Sequence, residues 1–205
     1  MLFRSCGTPF ESSAGIGDWA MGTKAANIAK AKQLLAEAGY KGEKVVILDP
    51  VETHLAHGQA VVTAQKLREI GMNVDLQALD WGTQSARRQI KDPIEKNPGA
   101  WNLFHTWGGG LAMNSPLTNT PTPTPCDGKN WFGWPCDEQL EKIRLEFPIA
   151  APEKQKEIVD RLQTRFFEVV PYVPVGQFLS PISYRKNLDG ILDTVRLVLW
   201  NIEKK

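Results

Sequence analysis

No sign of charge dominates this sequence: 24 lysines and arginines face 23 aspartates and glutamates, a net of +1. That balance removes the electrostatic case for nucleic acid or an anionic membrane surface as partner. No apolar run approaches the roughly 18 residues of a spanning helix. Low-complexity tracts and long internal repeats are also lacking. Catalytic signatures are equally scarce. Ser85, Ser115, Ser180 and Ser183 have no GxSxG context, and acid pairs such as Glu138 and Glu141 fall on helix positions that read as exposed. Histidine occurs only at 54, 57 and 105. His54 and His57 could share a helix face, but without an acid at fixed spacing they read as solvated or capping residues rather than metal ligands. No metal and no cofactor is expected.

Cysteine is sparse as well, at positions 6, 126 and 136. Cys126 and Cys136 bracket a loop containing Gly128, Gly133 and Pro135, a spacing that a disulfide closes easily and that CxxC zinc pairs do not show. A bridge implies an oxidising compartment; two separate reduced thiols in a cytosolic protein is the other reading, and both stand at this point. Cys6 is left over. Met1 to Ser5 lacks the charged start and apolar centre of a signal peptide, and Leu2 to Ser5 reads like a translated adaptor. The expectation is a chain that begins inside a longer protein.

What the sequence does have is a concentration of aromatic residues. The stretch Trp101 to Cys136 holds four of the seven tryptophans. A strand is expected over Trp101 to Trp107, ending in Gly108, Gly109 and Gly110, where the missing Cβ lets a ligand approach the backbone. A long loop follows, with prolines at 116, 121, 123 and 125 that block helix or central strand. Met113, Asn114 and Pro116 stand where a phosphate-binding loop would open its helix, so nucleotide binding is disfavoured. The stretch reads as a binding wall with Trp107 as a stacking platform. Trp101 is either core or wall, and Trp131 and Trp134 either line the loop or pack beneath its bridge.

Elsewhere the periodicity is that of an ordinary α/β core, for which 42% apolar content suffices. A helix from Thr23 places Ile28, Ala31, Leu35 and Ala38 on one face and stops at Gly39, with Tyr40 after it. Lys44 to Asp49 (KVVILD) is a strand covered on both faces. A helix over about His54 to Ile70 turns Ala60, Ala64 and Leu67 inward, and Asn73 to Asp80 is a strand with one wetter face. Short connections make this a strand, helix, strand unit with parallel pairing. Next comes a short helix, Gly82 to Ile90, whose Arg87 and Arg88 either clamp an anion or form a solvated face. Asp137 caps a helix to Phe147 with Leu140 and Ile143 inward. Pro152 opens another to Val170 with Ile158, Leu162, Phe166 and Val169 inward. The tail from Tyr172 is strand-like, with Val195, Leu197 and Leu199 alternating.

In this order the pieces AKQLLAEAGYKGEKVVIL (31 to 48), KLREIGMNVDLQALDW (66 to 81), Arg87-Arg88, WNLFHTWGGG, CDGKNWFGWPCDEQLEKI (126 to 143) and VPYVPVGQF with YRKNLDG resemble the solute-binding proteins of ABC importers. That family includes the peptide, dipeptide and nickel receptors. The resemblance implies an α/β lobe of a type 2 periplasmic-binding-protein-like clamshell, with C-terminal strands belonging to the partner lobe. It assigns 1–22 to an irregular lead-in, 23–174 to the ligand-binding lobe and 175–205 to strands returning to the other lobe. It further implies an extracytoplasmic location, a small solute or peptide as ligand, ABC permease subunits as partners and an N-terminal lobe outside this chain. Uncovered by that lobe, Leu197, Leu199 and Trp200 would stand partly exposed.

By the same resemblance the cleft is met by the loop Pro50 to His54, with Glu52 and His54, by the loop Trp107 to Gly110, and by Trp81. The Cys126–Cys136 loop with Trp134 is a bridged flap beside it. Here the first loop reads PVETH, without arginine or tyrosine to meet a carboxylate, and Ala112 stands near the expected aspartate. These departures argue against a free peptide amine as the anchor. The alternative reading is a cytosolic α/β enzyme domain.

Overall fold

In chain order the elements are β1 (Phe3–Arg4), α1 (Lys24–Glu37), β2 (Lys44–Pro50), α2 (His54–Glu69), β3 (Asn73–Leu79), α3 (Trp81–Arg87) and β4 (Leu103–Phe104). There follow α4 (Gly110–Met113), α5 (Glu138–Glu146), a 3-10 turn (Phe147–Ile149), α6 (Pro152–Val169), β5 (Gln177–Phe178), β6 (Leu188–Asp189) and β7 (Glu203–Lys204). The structure, a computed structural model, describes residues 3–4, 24–113, 115–178, 180–194 and 197–205. Cys6, the N-terminal lead-in apart from residues 3–4, and Val195 lie outside the described residues. The described residues form two compact units. One comprises residues 24–108 with 126–136, and the other the remainder.

The first unit is built on a parallel sheet of order β3-β2-β4. KVVILDP occupies its centre, and all but the first of its residues are buried, as an uninterrupted apolar run requires. Val45 and Ile47 pack on Ala60 and Ala64 of α2, whose small side chains let helix and sheet approach closely. The edge strand β3 is half-buried and more polar. Two glycines set the register of this unit. At the end of α1, Gly39 takes φ +73° and its N–H bonds the Ala36 carbonyl while that of Tyr40 bonds Leu35; at the end of α2, Gly71 takes φ +103° with the matching bonds Gly71 to Arg68 and Met72 to Leu67. Each closes a helix and aims the chain into the next strand.

Several expectations are corrected. Ala38 is exposed, and the inward side of α1 rests on half-buried Ile28, Ala31 and Leu35. The strand expected over Trp101 to Trp107 shrinks to Leu103–Phe104, paired with Ile47 and Leu48. Beyond it the buried Gln84 side chain takes the His105 carbonyl, which removes that acceptor from any further ladder. Gly110 opens a helical turn, with Gly109 accepting from Ala112 and Met113, where the sequence suggested irregular loop. No strand forms over 191–194 or 197–200, whereas Leu197, Leu199 and Trp200 are exposed in line with expectation.

The second unit has a helical core. Leu140 and Ile143 of α5 pack on Ile158, Leu162 and Phe166 of α6, with Tyr172 edge-on to Phe166 at 4.8 Å. The proline-rich stretch 115–125 is part of this unit's framework. Buried Thr124 donates its N–H to Glu141 and its hydroxyl to the Asp137 carbonyl, and buried Asn119 donates to Met113 O and to the Tyr172 hydroxyl. Glu141, expected on a solvated face, is consumed here and in an ion pair with Arg144.

Asp137 does double duty. Its Oδ1 caps α5 by accepting from Leu140 N at 2.7 Å, and its carboxylate binds the Arg165 guanidinium of α6. Those bonds to Arg165 hold its pKa below the ordinary aspartate value, with the Leu140 N–H adding to the effect against the opposing cost of burial. A depressed carboxylate pKa gives stability that is complete above the unfolded value of about 4 and lost as pH falls through the folded one. We therefore expect the urea midpoint to fall on acidification below pH about 4, and to fall less in Asp137→Asn. Asparagine keeps the cap acceptor but not the charge. Parallel midpoint-against-pH curves for the two proteins would refute this.

Candidate functional site

The first unit carries an aromatic surface assembled from three segments. Asp80 caps α3 by accepting from Thr83 N, which presents Trp81 as the first helical residue. The Trp81 N–H donates to Glu52 Oε1 at 3.0 Å, tying the loop after β2 to the helix start. The ring of Trp81 lies against Trp107, centroids 5.2 Å apart and tilted by 38°. Trp107 is 45% exposed. The pair leaves one ring, that of Trp107, open to solvent.

The second part is the loop closed by the disulfide Cys126–Cys136, whose Cα atoms are 4.6 Å apart. Trp134 packs on Trp101 at 6.4 Å and Phe132 on Phe104 at 6.3 Å, so Trp101 and Trp134 are half-buried partners. The Trp101 indole N–H is buried without an acceptor among the described residues. Neither Arg87 nor Arg88 forms a solvated face. Arg87 donates to the Gly99 and Ala100 carbonyls, fixing the approach to β4, while Arg88 lies among aromatic rings. Burial lowers the pKa of both, with Asp75 opposing the shift at Arg87.

The structure brings Glu52, Trp81, Trp107, Gly108 and Trp134 into one unit, whereas Gly109 and Gly110 belong to the other. His54 is exposed at the start of α2. His57 instead pairs through Nδ1 with the buried Asp49 carboxylate at 2.7 Å, a partner that spacing along one helix does not show because Asp49 lies on β2. His105 Nε2 meets Thr63 Oγ1 at 2.9 Å, and burial lowers its pKa although Asp49 pulls the other way. Among the described residues no group of three metal-ligating side chains occurs. A surface groove of about 440 Å³ lies on α6 among Glu153, Lys156, Glu157, Asp160, Arg161 and Thr164. Its charges pair with neighbours such as Lys156 with Asp160 and Arg161 with Glu146, and no aromatic ring lines it. The aromatic surface is the better candidate.

Residues 7–114 match the family described as bacterial extracellular solute-binding proteins, family 5, middle region. The chain belongs to that family. A probable peptide ABC transporter periplasmic-binding protein of Sinorhizobium fredii is 34% identical over 176 residues, covering 85% of this chain and 33% of the relative. The murein tripeptide binding protein MppA of Escherichia coli superposes with a TM-score of 0.66 at 19% identity, over 91% of this chain and 35% of that one. The binding protein AgaA of A. tumefacien R10, solved with agropinic acid, gives 0.64 at 17% identity, over 97% and 42%. These likenesses establish the type 2 periplasmic-binding-protein-like α/β fold. The chain spans about a third of the length of the curated relative it matches. Membership of a solute-binding family gives no support to the reading as a cytosolic enzyme domain.

Proposed function

We propose that this chain supplies one wall of the ligand site of an extracytoplasmic solute-binding protein. It would capture a peptide or related small solute between two lobes without chemical change and deliver it to ABC permease subunits. The observation that carries this reading is the Trp81–Trp107 stack, held by Glu52 and Asp80 and open on one side, in a chain of the solute-binding family. Glu52, His54, Trp134 and Gly108 are the further candidates for ligand contact within this unit. The bridge between Cys126 and Cys136 supports an oxidising location. Affinity in such a receptor comes from contacts present only when the lobes have closed.

The test is calorimetric titration of a full-length version with di- and tripeptides. Removing the open ring by Trp107→Ala should weaken binding at least about tenfold, since aromatic anchors dominate such sites. It should leave the melting temperature of the ligand-free protein nearly unchanged. Equal dissociation constants for the two proteins would remove Trp107 from the site, and absence of heat with every peptide would point to another solute class.

A further inference from the structure

The disulfide joins the two ends of the 126–136 loop only to each other; it does not attach the loop to the sheet. That attachment is non-covalent and centres on one cation. The Arg88 guanidinium lies 5.8 Å from the rings of both Trp81 and Phe104 on the body side. On the loop side it lies 5.7 Å from Trp131 and 4.5 Å from Phe132. Arg68, Arg87, Arg144, Arg161 and Arg165 each find an oxygen acceptor. Among the described residues the Arg88 guanidinium has none, and its Nε is buried and unbonded. Desolvating a cation without an anion is costly, and on the buried side of this half-exposed group the ring faces offset it. Three residues on, Lys91 Nζ donates to Gly128 O at 2.6 Å and lies 4.9 Å from the Trp134 ring. Trp134 itself sits at φ +45°, a conformation bulky residues rarely hold unless their surroundings impose it.

We propose that Arg88 is a positioning residue that joins the disulfide loop to the Trp81–Trp107 stack, so that loop and platform shift together. Trp81 and Arg88 lie seven residues apart, at the two ends of α3, so one short rigid element carries the platform at its start and the loop's seat at its finish. A planar guanidinium can lie flat on Phe132 while touching the other rings; an ammonium cannot. The importance of this joint for binding rests on the ligand-capture reading, but the joint itself is measurable without any ligand, so the two can fail separately.

The experiment compares wild type, Arg88→Met, Arg88→Lys, Phe132→Leu and the Arg88→Met/Phe132→Leu double variant in the intact chain. The first readout is amide hydrogen exchange across residues 126–136 under native conditions, because both cysteines are exposed and a reductant would reach the bridge without the loop opening. Each single change to methionine or leucine should speed exchange of the loop amides about tenfold by raising the loop's opening probability. The double variant should be little faster than either single, because both remove the same contact. Arg88→Lys should fall between wild type and Arg88→Met. The second readout is the near-ultraviolet circular dichroism that disappears on Trp107→Phe, a signature of the stacked pair; it should be weakened in Arg88→Met. Unchanged exchange rates, or rate factors that multiply in the double variant, would overturn the seat. So would an equal acceleration in Ala64→Gly, which loosens the same unit elsewhere. A stacked-pair signal that survives Arg88→Met would overturn the link to the platform.

Discussion

Phe166→Ala should cost the protein about 3–5 kcal/mol, the largest effect of any single substitution considered. Phe166 is fully buried, stands between Leu140 and Ile143 on one side and Tyr172 on the other, and meets Phe167 and Tyr172 edge-on at 5.6 and 4.8 Å. Its removal leaves a hole that Leu162 and Ile158 cannot fill, since both are already packed. The penalty is therefore the lost transfer energy plus the cavity. Tyr172 adds a polar cost, because its hydroxyl accepts from Asn119 and would lose its seat. Far-ultraviolet circular dichroism in urea should show the midpoint drop sharply. Phe166→Leu should recover about half or more of the loss, because most of the volume returns. A loss below about 1 kcal/mol for alanine would mean that the α5–α6 core is not packed as described.

Opening the Cys126–Cys136 bridge comes next in size. For a loop of 10 residues' separation, the chain-entropy account gives about 2–3 kcal/mol. The paired variant Cys126→Ala/Cys136→Ala should lose this in urea, and dithiothreitol should destabilise wild type by a similar amount while leaving the variant unaffected. Two features depend on the closed loop: Trp134 at φ +45° and the bond from Asn130 to the Pro135 carbonyl. In the variant the Trp101–Trp134 contact should loosen, which a red shift of emission would report. Equal sensitivity of both proteins to reductant would show that the bridge contributes nothing.

How much of this was legible in the residues differs by element. KVVILD announced a strand buried on both faces because hydrophobic burial leaves its mark on every position of so short a run. Gly39 and Gly71 announced helix ends because only glycine takes those angles freely. Asp137 announced a cap by a purely local bond. What failed was non-local. The strand at Trp101 looked long by composition, yet its length was decided by the Gln84 side chain competing for the His105 carbonyl. Arg88 read equally well as an anion clamp or a solvated face, because its ring partners Trp131 and Phe132 arrive from a loop more than 40 residues later. The same limit hid the pairing of His57 with Asp49. It also hid the division of the tryptophan-rich stretch, since nothing in the proline-rich residues shows that Thr124 and Asn119 are the buried framework of a different unit. Of the candidate site, the Trp81–Trp107 pairing was foreseeable only as two separate rings.

The tryptophans are unevenly shared: Trp81, Trp101, Trp107, Trp131 and Trp134 all lie in the sheet-bearing unit, while Trp200, 86% exposed, is the other described indole. Intrinsic emission is thus a selective lamp. Among the described indoles, iodide in the buffer would darken Trp200 and dim Trp107, leaving a blue-weighted signal from the interior of a single unit. A melting curve followed by that light and one followed by backbone ellipticity, to which α5 and α6 contribute heavily, sample different parts of the same chain.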